Sequence, residues 1–115
     1  LNNTTEVTPR AKNVVQMRSS FTIGENQIAS SGRKTVYLQI VGPNGAVMQR
    51  SANFVVDTDN GQQAYSDKKD IDYNNQAIDL TIYYDLKGQE ATKGNYKVRI
   101  YCEGQLIGTD SFTLK

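Results

Sequence analysis

Three features of the sequence predict an all-β sandwich. Apolar residues recur at every second position, the period of a strand with one face buried. The runs that carry this alternation are rich in Val, Ile, Thr and Tyr and are cut at short intervals by Gly, Asn, Asp and Pro, so the chain is built to reverse often. No segment keeps apolar residues at i, i+3, i+4 and i+7 through three turns, which leaves a helix nothing to bury. With 115 residues there is room for one domain. A chain of this size hides roughly two-thirds of its unfolded surface, enough to stand without a disulfide framework or a structural metal.

Taken in order, residues 1–13 are rich in Asn and Thr, carry Pro9 and offer little apolar surface. Nothing opposes the entropy lost in ordering them, so they read as a polar linker, with the sandwich over 14–115. The triplets Asn2-Asn3-Thr4 and Asn3-Thr4-Thr5 match the glycosylation acceptor pattern, a match such a stretch produces by chance. A first strand shares Val15, Met17, Phe21 and Ile23 on one face and ends at Gly24-Glu25-Asn26. From Arg33 to Val41 the residues Val36, Leu38 and Ile40 alternate with Thr35, Tyr37 and Gln39, and Gly42-Pro43-Asn44-Gly45 turns the chain. Ala46 to Val56 is expected to continue as a third strand, bent where Arg50 and Ser51 interrupt the pattern. After a turn at 57–61, Gln63 to Tyr73 is charged and weakly patterned, as suits an edge strand.

Ile78, Leu80, Ile82 and Tyr84 then alternate with Asp79, Thr81, Tyr83 and Asp85 in the cleanest half-buried strand of the chain. Lys87 to Gly94 is a loop. Tyr96, Val98, Ile100 and Cys102 alternate with Lys97, Arg99, Tyr101 and Glu103, and Glu103-Gly104-Gln105 leads into a last strand from Leu106 to Leu114. The expected core includes Phe21, Val36, Leu38, Ile40, Ile78, Leu80, Ile82, Tyr96, Val98, Ile100 and Phe112. About seven antiparallel strands at this spacing fit an immunoglobulin-like or fibronectin type III-like sandwich.

Gly94-Asn95-Tyr96-Lys97-Val98-Arg99-Ile100-Tyr101 resembles the next-to-last strand of such domains, with Tyr96 where the tyrosine of the tyrosine corner would stand. The buried Trp and paired cysteines of antibody domains are missing. A wider resemblance runs from Arg18 onward, through Lys34-Thr35-Val36-Tyr37-Leu38-Gln39-Ile40, Gly42-Pro43-Asn44-Gly45, Ile71-Asp72-Tyr73-Asn74-Asn75-Gln76 and the segment from Gly94 to Lys115. It is similar to the C-terminal domain of a group of uncharacterised Bacteroidota cell-envelope proteins in which a coiled coil precedes the sandwich. Some of these carry chromosome-partitioning labels, although this chain has no phosphate-binding glycine loop. The resemblance implies a periplasmic or cell-surface location and carries over no catalytic residue.

Composition narrows the function further. Thirteen basic and twelve acidic residues give a net charge of +1, far from what a phosphate backbone requires, so no nucleic-acid partner is expected. No apolar run reaches the roughly 18 residues of a membrane span, and the start at Leu1, without Met or leader, reads as a piece of a longer protein. The lack of His removes Ser-His-Asp and Cys-His catalysis and the commonest zinc ligand. Cys102, the single cysteine, falls on an inward position and reads as a small buried apolar residue rather than a nucleophile. Asp67, Asp70, Asp72, Asp79 and Asp85 could align in pairs, but pairs are easily found among twelve acids and no cleft is implied. Asp57, Asp59 and Gly61 hint at a calcium loop, yet an EF-hand wants Gly and Glu where Gln62 and Lys68 stand, and a hairpin turn reads better. No enzyme activity, cofactor or metal is expected.

What remains is a binding or assembly module at the end of a longer envelope protein. Its partner would be a protein or a cell-wall glycan. The alternative is an accessory sandwich domain of a carbohydrate-active enzyme whose catalytic part lies upstream. The candidate partner-binding residues are Tyr101, Arg99, Lys97, Tyr37 and Tyr83, all outward in the alternation. Tyr and Arg concentrate at interface centres, and Tyr also serves simply as a good strand residue. In the usual strand order Tyr37 and Tyr83 are expected side by side in one sheet, flanked by Gln39 and Thr81, as a surface for a sugar ring or an apolar side chain. Tyr101 with Arg99 and Lys97 is expected on the other sheet, as the more basic patch favoured for a protein partner.

Overall fold

The computed structural model describes residues 2–6 (backbone only), 16–25, 28, 31–49, 51–86 and 91–115. Nine strands occur among the described residues: β1 (Asn2–Glu6), β2 (Gln16–Ile23), β3 (Gly32–Val41), β4 (Val55–Thr58), β5 (Gly61–Ala64), β6 (Asp67–Tyr73), β7 (Ile78–Asp85), β8 (Gly94–Cys102) and β9 (Gln105–Leu114). They form an immunoglobulin-like sandwich. One sheet has the order β1-β2-β7, the other β6-β3-β8-β9, and β4 and β5 make a separate two-stranded hairpin. All named pairings are antiparallel.

The inward faces follow the alternation. Met17, Phe21 and Ile23 from β2 and Leu80, Ile82 and Tyr84 from β7 meet Val36, Leu38 and Ile40 from β3 and Tyr96, Val98 and Ile100 from β8 in one buried cluster. Ile78 and Phe112 are half-buried at its margin. Val15 and residues 7–13 of the expected linker lie outside the described residues, as do residues 87–90 of the expected loop.

The tyrosine corner is present. Tyr96 is 2% exposed, its hydroxyl donates to the Thr92 carbonyl at 2.6 Å, and its ring stacks on Phe112 at 4.9 Å. Burial pushes the phenol above its ordinary value near 10. The β8–β9 reversal takes only Glu103 and Gly104, both with positive φ (51° and 79°). That is the backbone of a type I′ hairpin, which normally selects Asn, Asp or Gly. Here Glu103 is tied to Lys34 by an ion pair.

Three expectations need correction. Asn2–Glu6 is not linker but a strand, paired with Arg18–Thr22. Backbone hydrogen bonding satisfies a polar segment at a sheet edge without any apolar side chain. The described residues between Ala46 and Phe54 form no strand, Val55 and Val56 begin β4, and Arg50, where a bend was expected, lies outside the described residues. Among the described residues of this segment the Val41–Val47 bridge continues the sheet, Met48 N donates to the Ile40 carbonyl at 2.8 Å, and Gln49 Nε2 donates to the Phe54 carbonyl. The chain then rises into β4. The charged segment splits in two: β6 is an edge strand as expected, whereas Gly61–Ala64 pairs with β4 instead. At the point of departure Ser66 stands in for a backbone rung. Its N–H donates to the Leu38 carbonyl at 2.6 Å, and its hydroxyl accepts from Ile40 N at 2.9 Å.

Candidate functional site

The β4–β5 hairpin forms a partial third layer on the outer face of the four-stranded sheet. On that face the antiparallel register sets Tyr37 opposite Tyr101, Gln39 opposite Arg99 and Val41 opposite Lys97. Tyr65, where the chain leaves β5, packs edge-on to Tyr37 at 4.9 Å and stacks with Phe54 at 5.1 Å. Gln39, 1% exposed, donates from Nε2 to the Ala64 carbonyl at 2.9 Å and accepts from Arg99 Nη1 at 3.2 Å. The far end of the hairpin is pinned where Asp59 N donates to the Gly104 carbonyl at 2.7 Å. The 57–61 turn is thus a hairpin turn, closed by the Thr58 hydroxyl donating to the Gly61 carbonyl.

This layer changes the standing of the tyrosines. Tyr37 and Tyr83 are not neighbours: Tyr37 lies on β3 of the four-stranded sheet and Tyr83 on β7 of the three-stranded one. Tyr37 pairs instead with Tyr101, which had been expected on the opposite sheet. Tyr101 points outward from the sandwich core, yet it is only 4% exposed. Arg99 is half-buried and engaged by Gln39, and only Lys97 of the basic trio is exposed. The sequence signal for the cover lies in Phe54 and Tyr65, two aromatics with no place in the alternation of any expected core strand.

Cys102 is 2% exposed on the inward side, and burial pushes its thiol upward, with the neighbouring Glu103 carboxylate acting the same way. That is the opposite of an activated nucleophile.

The outer face of β2 and β7 carries no such layer in the described residues, and here Tyr83 is 47% exposed. A shallow groove of about 670 Å³ runs beside it, lined in part by Ser20, Thr22, Lys69, Asp79, Thr81 and Tyr83. Cross-strand register places Ser20 opposite Thr81, Thr22 opposite Asp79 and Arg18 opposite Tyr83. Ser20 and Thr81 share a hydroxyl–hydroxyl bond of 3.0 Å, and the Thr22 hydroxyl donates to an Asp79 carboxylate oxygen. From the edge strand of the other sheet Lys69 Nζ reaches across and donates to the Thr81 carbonyl at 3.2 Å. The side chains around the groove are therefore fixed by one another, and the arrangement can offer hydrogen bonds beside an aromatic ring.

Among solved structures the chain is similar to β-glucosidase 3B from Thermotoga neapolitana, with a TM-score of 0.61 and 12% identity over 98% of this chain and 15% of that one. It is likewise similar to a β-glucosidase from Kluyveromyces marxianus (TM-score 0.60, 11% identity, 97% of this chain and 14% of the other). A third similarity, to the Pseudomonas fluorescens alkylpurine DNA glycosylase AlkC, has a TM-score of 0.50 at 14% identity over 87% of this chain and 26% of that one. The chain thus spans between about one-seventh and one-quarter of these proteins, and at such identities the likeness is one of fold. No curated protein matches the sequence. Along its entire length, residues 1–115, the sequence fits the model of the domain of unknown function DUF8428, and the chain belongs to that family.

Proposed function

We propose that this domain is a non-catalytic binding module of a larger protein. The observation that carries the reading is a groove of hydrogen-bonded polar side chains beside an exposed aromatic; among the described residues no group of side chains is placed to hold a metal ion. A larger parent is supported by the similarity to solved proteins of which this fold makes up 14–15%. The same similarity favours one setting over others, namely an accessory domain carried by a glycoside-processing enzyme. The competing setting, an envelope assembly protein at the periplasm or cell surface, rests on the Bacteroidota envelope-protein resemblance.

The test compares the isolated 115-residue chain with its parent. The domain alone should release no chromophore from a panel of aryl glycosides, and deleting it from the parent should weaken retention on the parent's ligand while leaving turnover of a small soluble substrate. Hydrolysis by the isolated domain above the buffer rate would overturn the non-catalytic reading.

A further inference from the structure

We propose that the groove on the outer face of β2 and β7 binds a neutral saccharide chain, with Tyr83 as the ring platform. This deepens the binding-module reading and rests on it.

The polar groups around the groove keep unused capacity on the side facing solvent. A hydroxyl has one proton to donate and two lone pairs. The Ser20–Thr81 pair spends one proton between two hydroxyls and so retains another. Thr22 gives its proton to one Asp79 oxygen, which leaves the Thr22 lone pairs and the second carboxylate oxygen as acceptors. Lys69 uses one of its three N–H groups on the Thr81 carbonyl. Donors and acceptors therefore follow one another along β2 and β7 from the exposed Tyr83 ring, the Ser20–Thr81 pair two residues and the Thr22–Asp79 pair four residues from it. Their mutual bonds hold them in place before any ligand arrives, so little side-chain entropy remains to be lost on binding.

That pattern selects a class of ligand. A sugar ring presents hydroxyls that both donate and accept, together with a C–H face that lies on an aromatic ring. The two charged side chains that line the groove, Lys69 and Asp79, are of opposite sign, so neither a phosphate backbone nor an acidic polymer is matched. A protein interface centres on clustered aromatics and Arg in a desolvated patch, whereas the lining here is largely hydroxyls and one pair of opposite charges, with Tyr83 its one exposed aromatic. The volume of about 670 Å³ falls in the range of small-ligand sites, roughly 300–1,000 Å³, and the open form of the groove admits a chain rather than enclosing one residue.

The proposal is tested by amide-resolved NMR titration of the 115-residue chain with cellohexaose, laminarihexaose and xylohexaose, and with polygalacturonate oligomers as the anionic arm. At least one neutral hexaose should shift the amides of Ser20, Thr22, Asp79, Thr81 and Tyr83. Tyr83→Ala should weaken that binding about tenfold, while Tyr83→Phe, which keeps the platform, should retain most of it. Asp79→Asn should weaken it without moving the thermal midpoint by more than a few degrees. The inference is overturned by silence from all three neutral hexaoses, by shifts confined to other surfaces, by a response to the anionic oligomers alone, or by unchanged affinity in folded Tyr83→Ala. Silence here, with ligand retention by the parent still dependent on the domain, would remove the saccharide and leave the module. Hydrolysis of a bound hexaose would keep the saccharide and remove the non-catalytic reading.

Discussion

Replacing Tyr96 by Phe deletes a single oxygen from the interior, and the structure isolates what is lost. The ring is 2% exposed and stacks on Phe112 at an interplanar angle of 6°, a contact that Phe preserves. The hydroxyl donates to the Thr92 carbonyl at 2.6 Å. Thr92 is exposed, so water can take over its carbonyl and the larger penalty of an orphaned buried acceptor does not arise. The cost is then that of one net hydrogen bond, about 1 kcal/mol. With a urea slope of roughly 1–3 kcal/mol per molar, the midpoint should fall by about 0.5 M and Tm by roughly 4 °C. Tyr83→Phe, on an exposed ring, should stay within about 0.5 kcal/mol of the wild type. The comparison also has a pH signature. Because burial raises the Tyr96 phenol above its ordinary value near 10, the folded chain keeps a proton that the unfolded chain has begun to lose. Its contribution is complete below about pH 10 and declines as pH rises from there through the folded-state value. The stability gap between wild type and Tyr96→Phe should therefore narrow above pH 10. Equal urea midpoints for Tyr96→Phe and Tyr83→Phe at neutral pH would refute the corner as a stabilising bond.

Three further outcomes follow from the packing. Cys102, buried and with its thiol pushed upward, should react with a disulfide probe only at the rate of unfolding; prompt modification of the native chain would contradict its inward placement. Gly94→Ala should cost about 2–4 kcal/mol, since the added methyl would sit 2.9 Å from Pro43 Cβ and Cγ at a φ of +132°, whereas Gly45→Ala, at +84° with open space, should cost only about 1–2 kcal/mol, both read from urea denaturation. Gln39→Ala should cost about 1–3 kcal/mol and speed hydrogen exchange in β4 and β5 more than in β7, because it removes the bond from the sheet to the Ala64 carbonyl.

The inward faces were legible because burying one face imposes a period of two, and Val36, Leu38, Ile40, Leu80, Ile82, Val98 and Ile100 obey it without interruption. Tyr96 was legible as a corner because the stretch from Gly94 to Tyr101 resembles the next-to-last strand of immunoglobulin-like domains, which a Tyr opens. Strand partnership was less so. Nothing in the sequence around Tyr37 or Tyr83 states which strand lies alongside, since that depends on contacts distant in sequence. Alternation also distinguishes inward from outward but not outward from exposed. Tyr101 and Tyr83 look equivalent by pattern, yet one lies on the face capped by the hairpin and the other meets solvent. β1 escaped notice because an edge strand of Asn and Thr is held by its backbone, to which side-chain pattern is blind.

The hairpin over the four-stranded sheet makes the domain two-sided in its tolerance of change. Along β2 and β7 every second position faces an open surface, so a saturation library should accept polar replacements there at alternate sites and reject them between. Around Gln39 and Tyr101 both sides of the sheet are closed, and the rhythm should vanish into an unbroken run of intolerant positions on β3 and the end of β8. An insertion that displaced β4 and β5 would restore the rhythm there, giving a readout of the third layer from viability counts alone.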